Sequence, residues 1–138
     1  MEYYKKIQLK DNRECILRNG TETDGKAVLD NFILTHEQTD YLLSYPDEST
    51  ITEEQESQFL KKKSESDNEI EILAEVDGNV VGLAGLDSIG DKDKLRHRVD
   101  FGISIDQNYW NIGIGTALTN ACIECAIKAG YEQIEINV

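Results

Sequence analysis

Two glycines one residue apart stand directly before a predicted helix in the stretch YWNIGIGTAL, Tyr109–Leu118. Gly113 and Gly115 leave the backbone uncovered, so a ligand can approach it closely. The first residues of a helix also carry N–H groups without intrahelical acceptors, at the positive end of the helix dipole. A bare turn followed by a helix start therefore predicts a binding site for an anion.

Three kinds of phosphate site could use such a turn. The P-loop pattern GxxxxGK[ST] is absent, so a P-loop nucleotidase is unsupported. The dinucleotide pattern GxGxxG is matched by Gly113 and Gly115, and Glu135 lies about 20 residues on, where a ribose-binding acid belongs. Against it, Leu118 takes the third glycine position, and the preceding strands form hairpins. The third kind is a pyrophosphate-binding turn of another fold.

The cysteines offer a second possible chemistry. Cys15, Cys122 and Cys125 form no even disulfide framework, and we expect them to stay reduced. The CxxC pair falls inside a predicted helix, whereas a thioredoxin-like pair lies at a helix start. A metal site would need further ligands, and the only histidines, His36 and His97, are isolated. Buried thiols are the simpler interpretation.

Length and charge limit the possible partners. We expect residues 1–138 to form one domain with one core. The net charge of −13 argues against a nucleic-acid partner. It favours a cationic amine only as a long-range bias, since an acidic solvated surface explains the negative charge equally well. No apolar run approaches the roughly 18 residues of a membrane span. The polar start MEYYKKIQLKDNRE is unlike a signal peptide, so we expect a cytoplasmic protein.

Hydrophobic periodicity predicts the elements that must position the glycine turn. The first elements are a hairpin, with Ile7 and Leu9 on one strand and Cys15 to Leu17 on the other, and a helix through Val28, Leu29, Phe32 and Ile33 with Asp24 as N-cap. A second helix over Ile51–Lys63 and three strands over Ile70–Val76, Val80–Leu86 and Arg96–Ile105 follow. The last elements are a helix over Thr116–Ala129, whose inner stripe ends at Ala129, and a strand over Gln133–Val138.

Local signals support several of these elements. Thr52 and Gln55 form a capping box at the start of the second helix. We expect its Glu/Lys-rich face to be solvated, with Ile51, Gln55 and Phe59 on the inner side. The acidic residues alternating along Ile70–Val76 predict one solvated strand face.

The run Arg96–Val138, RHRVDFGISIDQNYWNIGIGTALTNACIECAIKAGYEQIEINV, resembles the core of the GNAT superfamily of acyl-CoA-dependent N-acyltransferases. In that family a strand leads into a turn of the form Gln/Arg-x-x-Gly-x-Gly/Ala and then into a helix. The upstream strand, the two helices and the hairpin AEVDGNVVG also fit, so the resemblance covers nearly the whole chain. It implies a mixed α/β fold with a central, mostly antiparallel sheet flanked by helices.

The resemblance also implies acetyl-CoA as co-substrate. The residues that match its pyrophosphate-binding turn are Asn111, Ile112, Gly113, Ile114, Gly115 and Thr116. Ile103, Ser104 and Ile105 match the strand end that pairs with the pantetheine arm. A backbone N–H near Ile103 would polarise the thioester carbonyl. Trp110 stands where the family has Gln or Arg, so a side-chain contribution is lost there, and a core or rim aromatic is its simpler role.

Acyl transfer needs a neutral amine, so a general base helps. Asp100 lies on the third of the central strands, where many family members carry Glu, and it is our candidate for base or substrate anchor. A structural carboxylate is an equal alternative. His97 lies three residues earlier, on the opposite strand face, and we expect it to be structural. Glu71 and Glu75 are further candidates, although a solvated face explains them more simply.

The family pattern continues beyond Asn137-Val138 with an Asn-x-x-Ala segment, a helix carrying a Tyr that often acts as general acid, and two further strands. We therefore expect a shortened or truncated member, or an oligomer that covers the open sheet edge. The predicted activity is transfer of an acetyl group to a primary amine by direct attack, without a cysteine nucleophile. The alternative is a non-catalytic acyl-CoA-binding or interaction module.

Overall fold

The computed structural model of the chain describes residues 1–39, 52–88, 98–131 and 133–136. Its strands are β1 (Tyr4–Gln8), β2 (Glu14–Asn19), β3 (Ile70–Val76), β4 (Asn79–Ser88), β5 (Arg98–Ile105) and β6 (Gln133–Ile136). Its helices are α1 (Gly25–Thr39), α2 (Glu53–Ser64) and α3 (Ile114–Ala129), with 3-10 turns at Glu22–Asp24 and Gln107–Tyr109. The element order is the predicted one.

The strands form one sheet in the order β1-β2-β3-β4-β5-β6. Neighbours are antiparallel from β1 to β5, and β6 joins β5 in parallel. Asp77 and Gly78 both have positive φ in the turn between β3 and β4, as a tight hairpin with a right-handed twist requires. The predicted mixed α/β fold with a mostly antiparallel sheet is confirmed.

Each face of the sheet is covered by helices. On one face, α3 packs Leu118, Cys122 and Cys125 against strand residues such as Ile72 and Leu86. On the other face, α1 and α2 cover a smaller cluster, which consists of Val28, Leu60, Leu73 and Leu83. Of the predicted inner stripe of α3, Ala129 is only partly buried, and Ala126 and Ile114 are buried as well.

The helix ends confirm most of the local signals. The backbone N–H of Gln55 donates to Thr52 Oγ1 (3.1 Å), and Thr52 N–H donates to Gln55 Oε1 (3.0 Å). Gly130 ends α3 with a φ of 86°. The prediction for Asp24 is wrong: it lies inside the 3-10 turn that precedes α1, where its carboxylate accepts from Thr21 N–H and pairs with Arg18.

The predicted inner side of α2 is also wrong. Gln55 is exposed and Phe59 is 43% exposed, whereas Leu60 is fully buried and Lys63 is only 3% exposed. The hydrophobic pattern cannot place Lys63 because its burial depends on carboxylates from β3 and β4. Ile51 lies outside the described residues.

The predicted solvated face of β3 is covered as well. Leu73 is fully buried and Glu71 is 9% exposed. Glu75 is partly buried and pairs with Arg18 of β2. The reason is that α1 and α2 pack over this face of the sheet, so the acidic alternation marks an ion-paired interior rather than a surface.

Among the described residues, no helix is long and apolar enough to cross a membrane.

Candidate functional site

The described residues of β6 pair with only the first half of β5. The ladder between β4 and β5 continues to Ile105, whereas β6 pairs with β5 only from Arg98 to Phe101. Within the described part of the chain, Gly102–Ile105 therefore keeps one edge without a strand partner. Such an edge presents alternating N–H and C=O groups to an extended ligand, which can pair with it like an added strand.

The surface at the end of β5 is open. Ile103 is 41% exposed, and a Cβ added at Gly102 would meet nothing within 4 Å. These two residues point to opposite faces of the sheet because successive residues of a strand alternate. The end of β5 is thus accessible from both faces, as a site that receives two substrates requires.

The glycine turn follows at once. Asn111 has a φ of 65° and Gly113 a φ of 103°, so Gly113 adopts a backbone conformation that a side chain would strain. Gly113 is the N-cap of α3 and makes no side-chain cap, and the space beside it is empty to at least 4 Å. The first N–H groups of α3 have no intrahelical acceptors and lie next to this open space, which suits an anion.

Two hydrogen bonds and one close approach hold the turn against the end of β5 and the first hairpin. The Nε1–H of Trp110 donates to the carbonyl oxygen of Ile105 (2.8 Å), and Trp110 lies at the rim, 48% exposed. A Cβ added at Gly115 would lie 3.4 Å from Ile105 Cδ1. Lys10 N–H donates to Ile112 O (3.0 Å). The candidate pantetheine edge and the candidate pyrophosphate turn are thereby fixed to each other.

The connection between them is capped by a residue that the sequence reasoning missed. Asp106 is 9% exposed, its Oδ1 accepts from Asn108 N–H (3.0 Å), and its own N–H donates to Val81 O (2.8 Å). The sequence signal that could have predicted this turn is an Asp two residues before an Asn at the end of a strand. The side chain of such an Asp typically accepts a hydrogen bond from the backbone two residues later.

On the α1 side of β5, Ser104 is engaged with the helix. Its Oγ donates to Thr35 Oγ1 (2.5 Å), and Thr35 Oγ1 donates in turn to Phe32 O (3.1 Å). Ser104 therefore fixes α1 over the end of β5 through its side chain, which leaves its backbone for the exposed edge.

The remaining predicted turn residues differ in what they expose. Ile114 is 1% exposed, so only its backbone can serve a ligand, whereas Asn111 and Thr116 are exposed. A groove of about 440 Å³ borders the turn between β1 and α3, with Gly113 and Asn120 in its lining.

Asp100 lies in the paired part of β5. Its Cα is in register with Asp87 of β4 and with Glu135 of β6. Three residues separate it from Ile103, or roughly 10 Å of extended strand. This distance places Asp100 beside the candidate site rather than at the thioester position itself. His97, the other candidate on this strand, lies outside the described residues.

Next to Asp100, a buried lysine joins two acids. Lys63 Nζ lies 3.0 Å from Glu71 Oε2 and 2.9 Å from Asp87 Oδ1. Burial raises the pKa of Glu71, and the attraction of Lys63 only partly offsets this. For Lys63, burial lowers the pKa but the two carboxylates outweigh it, so the pKa lies above its usual value. Glu71 is thus a structural partner and not a free base, and Glu75, paired with Arg18, is another.

The thiols are unsuited to nucleophilic chemistry. Burial raises the pKa of Cys15 and of Cys125 to about 11, and it raises that of Cys122 further. All three are buried, as expected. In the part of the chain that the structure describes, no group of His, Cys, Asp and Glu could hold a metal ion.

Comparison with known proteins relates this geometry to a family. Residues 31–138 match the model of the Acetyltransferase (GNAT) family. A GNAT-family acetyltransferase from Streptococcus pneumoniae is 26% identical, with a TM-score of 0.76 over 88% of this chain and 73% of that one.

Two more distant structures, which share the fold, were solved with coenzymes. The PaiA N-acetyltransferase of Thermoplasma acidophilum, in complex with coenzyme A, is 14% identical, with a TM-score of 0.70 over 90% of this chain and 79% of that one. YncA of Salmonella typhimurium, with its cofactor acetyl-CoA, is 17% identical, with a TM-score of 0.69 over 85% and 65%.

Proposed function

The chain belongs to the GNAT acetyltransferase family, and on that basis we propose that it transfers the acetyl group of acetyl-CoA to a primary amine by direct attack. The observation that carries this proposal is that the exposed end of β5 leads directly into the glycine turn, where Gly113 is the N-cap of α3, has a φ of 103° and has nothing within 4 Å of an added Cβ. One ligand with an extended arm and an anionic group would use both features.

The edge of β5 binds the pantetheine arm. Backbone groups of Ile103, Ser104 and Ile105 pair with its amides as they would with a neighbouring strand. This role needs no particular side chain, which agrees with Ser104 directing its hydroxyl to Thr35.

The turn binds the pyrophosphate. The donors that we assign to it are the backbone N–H groups of Asn111, Ile112, Gly113, Ile114, Gly115 and Thr116, at and just before the start of α3. Backbone donors and the positive end of the helix stabilise the anion together. This binding survives the presence of Trp110 in place of Gln or Arg, because the donors are backbone groups. The indole N–H of Trp110 instead donates to Ile105 O at the strand end.

The N–H of Ile103 stabilises the charge that develops on the thioester oxygen. As the amine nitrogen forms its bond to the acetyl carbon, the carbon–sulfur bond breaks and coenzyme A leaves as the thiolate. The amine loses one proton, which the thiolate or a base accepts. With no reactive cysteine, the described residues favour direct transfer over a covalent enzyme intermediate.

Asp100 serves as the proton acceptor through water, or it anchors the acceptor amine. A roughly 10 Å separation from Ile103 along the strand is too long for direct proton abstraction and suits a water-mediated path.

Calorimetry with acetyl-CoA, followed by measurement of thiol release with a panel of amines, tests this function. The panel contains 1,4-diaminobutane, n-butylamine, a peptide with an N-terminal alanine and an N-acetylated peptide with one lysine. We expect saturable acetyl-CoA binding and amine-dependent thiol release. Absence of binding would overturn the assignment of the turn, whereas binding without transfer would identify a non-catalytic acyl-CoA-binding module.

A further inference from the structure

Asn31 is the one buried polar side chain in the described part of the chain whose atoms have no hydrogen-bond partner. The residue is 3% exposed, and both its Nδ2 and its Oδ1 are unpaired. Leaving a buried amide unpaired costs free energy, on the order of 1–3 kcal/mol per group. A single buried amide without hydrogen-bond partners in a native fold requires a specific explanation.

The position of Asn31 on α1 is fixed by its neighbours along the helix. Val28, three residues earlier, packs in the cluster that contains Leu83 of β4. Thr35, four residues later, accepts the hydrogen bond from Ser104 of β5. Residues spaced by three and four lie on one face of a helix, so Asn31 faces the sheet between these two contacts.

The strand positions beneath Asn31 belong to the candidate site. Leu83 and Ser104 are directly opposite each other in the β4–β5 ladder. Ser104 follows Ile103, which we assign to the thioester, and Gly102, with open space where a side chain would be, is roughly 7 Å from Ser104 along the strand. Asn31 thus lies over the end of β5 on the face opposite to Ile103's side chain.

From these observations we infer that Asn31 positions the acceptor amine. The buried amide reaches the amine by turning toward the open space at Gly102. Its Oδ1 then accepts an N–H of the amine, which aligns the nitrogen lone pair with the acetyl carbon held at Ile103, and its Nδ2 donates to an oxygen of the acceptor or of a bound water. The carboxamide has no proton to exchange in this role. Asn31 is therefore a positioning residue, and this inference rests on the proposed acetyl transfer.

If Asn31 has this role, replacing it with an apolar residue should raise the stability of the fold and lower the activity. Leu has nearly the shape of Asn and needs no hydrogen bond, so Asn31→Leu removes an unpaired buried amide. We expect the variant to melt higher, by about 2–6 °C for a chain of this size. We also expect kcat/KM for the amine to fall on the order of tenfold, as loss of one hydrogen bond predicts, with acetyl-CoA affinity unchanged.

The experiment compares the wild type, Asn31→Leu and Gln58→Leu, a control that makes the same kind of change on the exposed face of α2. Melting temperature, acetyl-CoA affinity by calorimetry, and kinetics with the best amine of the panel are measured. A lower melting temperature for Asn31→Leu would show that the amide is satisfied inside the fold and would overturn the inference. A higher melting temperature with unchanged amine kinetics would overturn it as well.

The two levels of the proposal fail separately. A wild type that acetylates no amine of the panel overturns acetyl transfer and, with it, the role of Asn31. A wild type that does acetylate, together with a fully active Asn31→Leu, leaves the proposed function standing and removes only Asn31 from the acceptor site.

Discussion

The carboxylate of Glu71 occupies the space that a side chain at Gly85 would need. The two residues are directly opposite in the β3–β4 ladder, and a Cβ added at Gly85 would lie 2.5 Å from Glu71 Oε2. The absence of a side chain at Gly85 lets the acid lie flat over β4, where Lys63 reaches it. Gly85 therefore makes room for the buried ion pair of Glu71 and Lys63, and it does not lie in a turn.

Gly85→Ala should destabilise the fold by about 1–3 kcal/mol, because the added methyl group displaces a carboxylate that has little room to move. The free energy of unfolding in urea measures this. Gly102→Ala is the matched control: it lies in the neighbouring strand opposite Gly85, and its Cβ meets nothing within 4 Å. Equal losses in the two variants would argue that strand propensity, and not the contact with Glu71, sets the cost.

Lys63→Met should cost about 3 kcal/mol of unfolding free energy, because it leaves the buried Glu71 without its cation. Lys62→Met, on the exposed neighbour, should change it little. The double variant Lys63→Met/Glu71→Leu should recover most of the loss, since an apolar pair needs no partner charge. A double variant no more stable than Lys63→Met alone would contradict this explanation.

Asp24 makes part of the stability dependent on pH. The two hydrogen bonds from the Arg18 guanidinium (2.7 and 2.8 Å) hold the pKa of Asp24 below its usual value. A carboxyl with a lowered pKa stabilises the fold above the unfolded-state pKa of about 3.9, and this stability is lost as the pH falls through the folded-state value. Unfolding free energies measured from neutral to acid pH should thus fall less steeply for Asp24→Asn.

The pH dependence of the unfolding free energy of Arg18→Met gives a second measurement of the pair that Arg18 forms with Asp24. Without the guanidinium, Asp24 loses the partner that lowers its pKa, so this variant should also lose less stability than the wild type on acidification. A slope for Asp24→Asn equal to that of the wild type would assign the acid sensitivity to other carboxylates.

The thiols should not react in the native protein. With a pKa of about 11, Cys15 and Cys125 are roughly one part in a thousand thiolate at pH 8, and all three cysteines are buried. Titration with a disulfide reagent should detect almost no thiol in the folded chain and three after denaturation. A fast-reacting native thiol would show that one cysteine is accessible and reopen a covalent mechanism.

Trp110 is the only tryptophan and reports on the site directly. Its indole is 48% exposed and bonded to Ile105 O, between the β5 edge and the glycine turn. Acetyl-CoA should therefore change its emission, measured with excitation beyond the adenine absorption. Trp110→Phe should lose the signal while calorimetry still detects binding. Unchanged emission alongside calorimetric binding would place the ligand elsewhere.

Local chemistry determined the elements. The Asp77-Gly78 turn, the Thr52–Gln55 capping box and the end of α3 at Gly130 each depend on residues within a few positions of one another, so the sequence alone predicts them. The glycine turn is also a local feature, because the positive φ at Gly113 and the start of the next helix depend on consecutive residues. Together with the order of the elements, these signals were enough for the fold class.

The tertiary structure decided what those elements enclose. Burial of Lys63 depends on carboxylates from two strands, and burial of Asn31 depends on β4 and β5 meeting α1, all distant in sequence. The parallel pairing of Arg98 with Gln133 likewise joins two segments that are distant in sequence. Periodicity reports which residues share a face but not what covers that face. For this reason the sequence could predict the glycine turn before α3, whereas the ion pair of Lys63 and the unpaired amide of Asn31 emerge only when distant segments pack together.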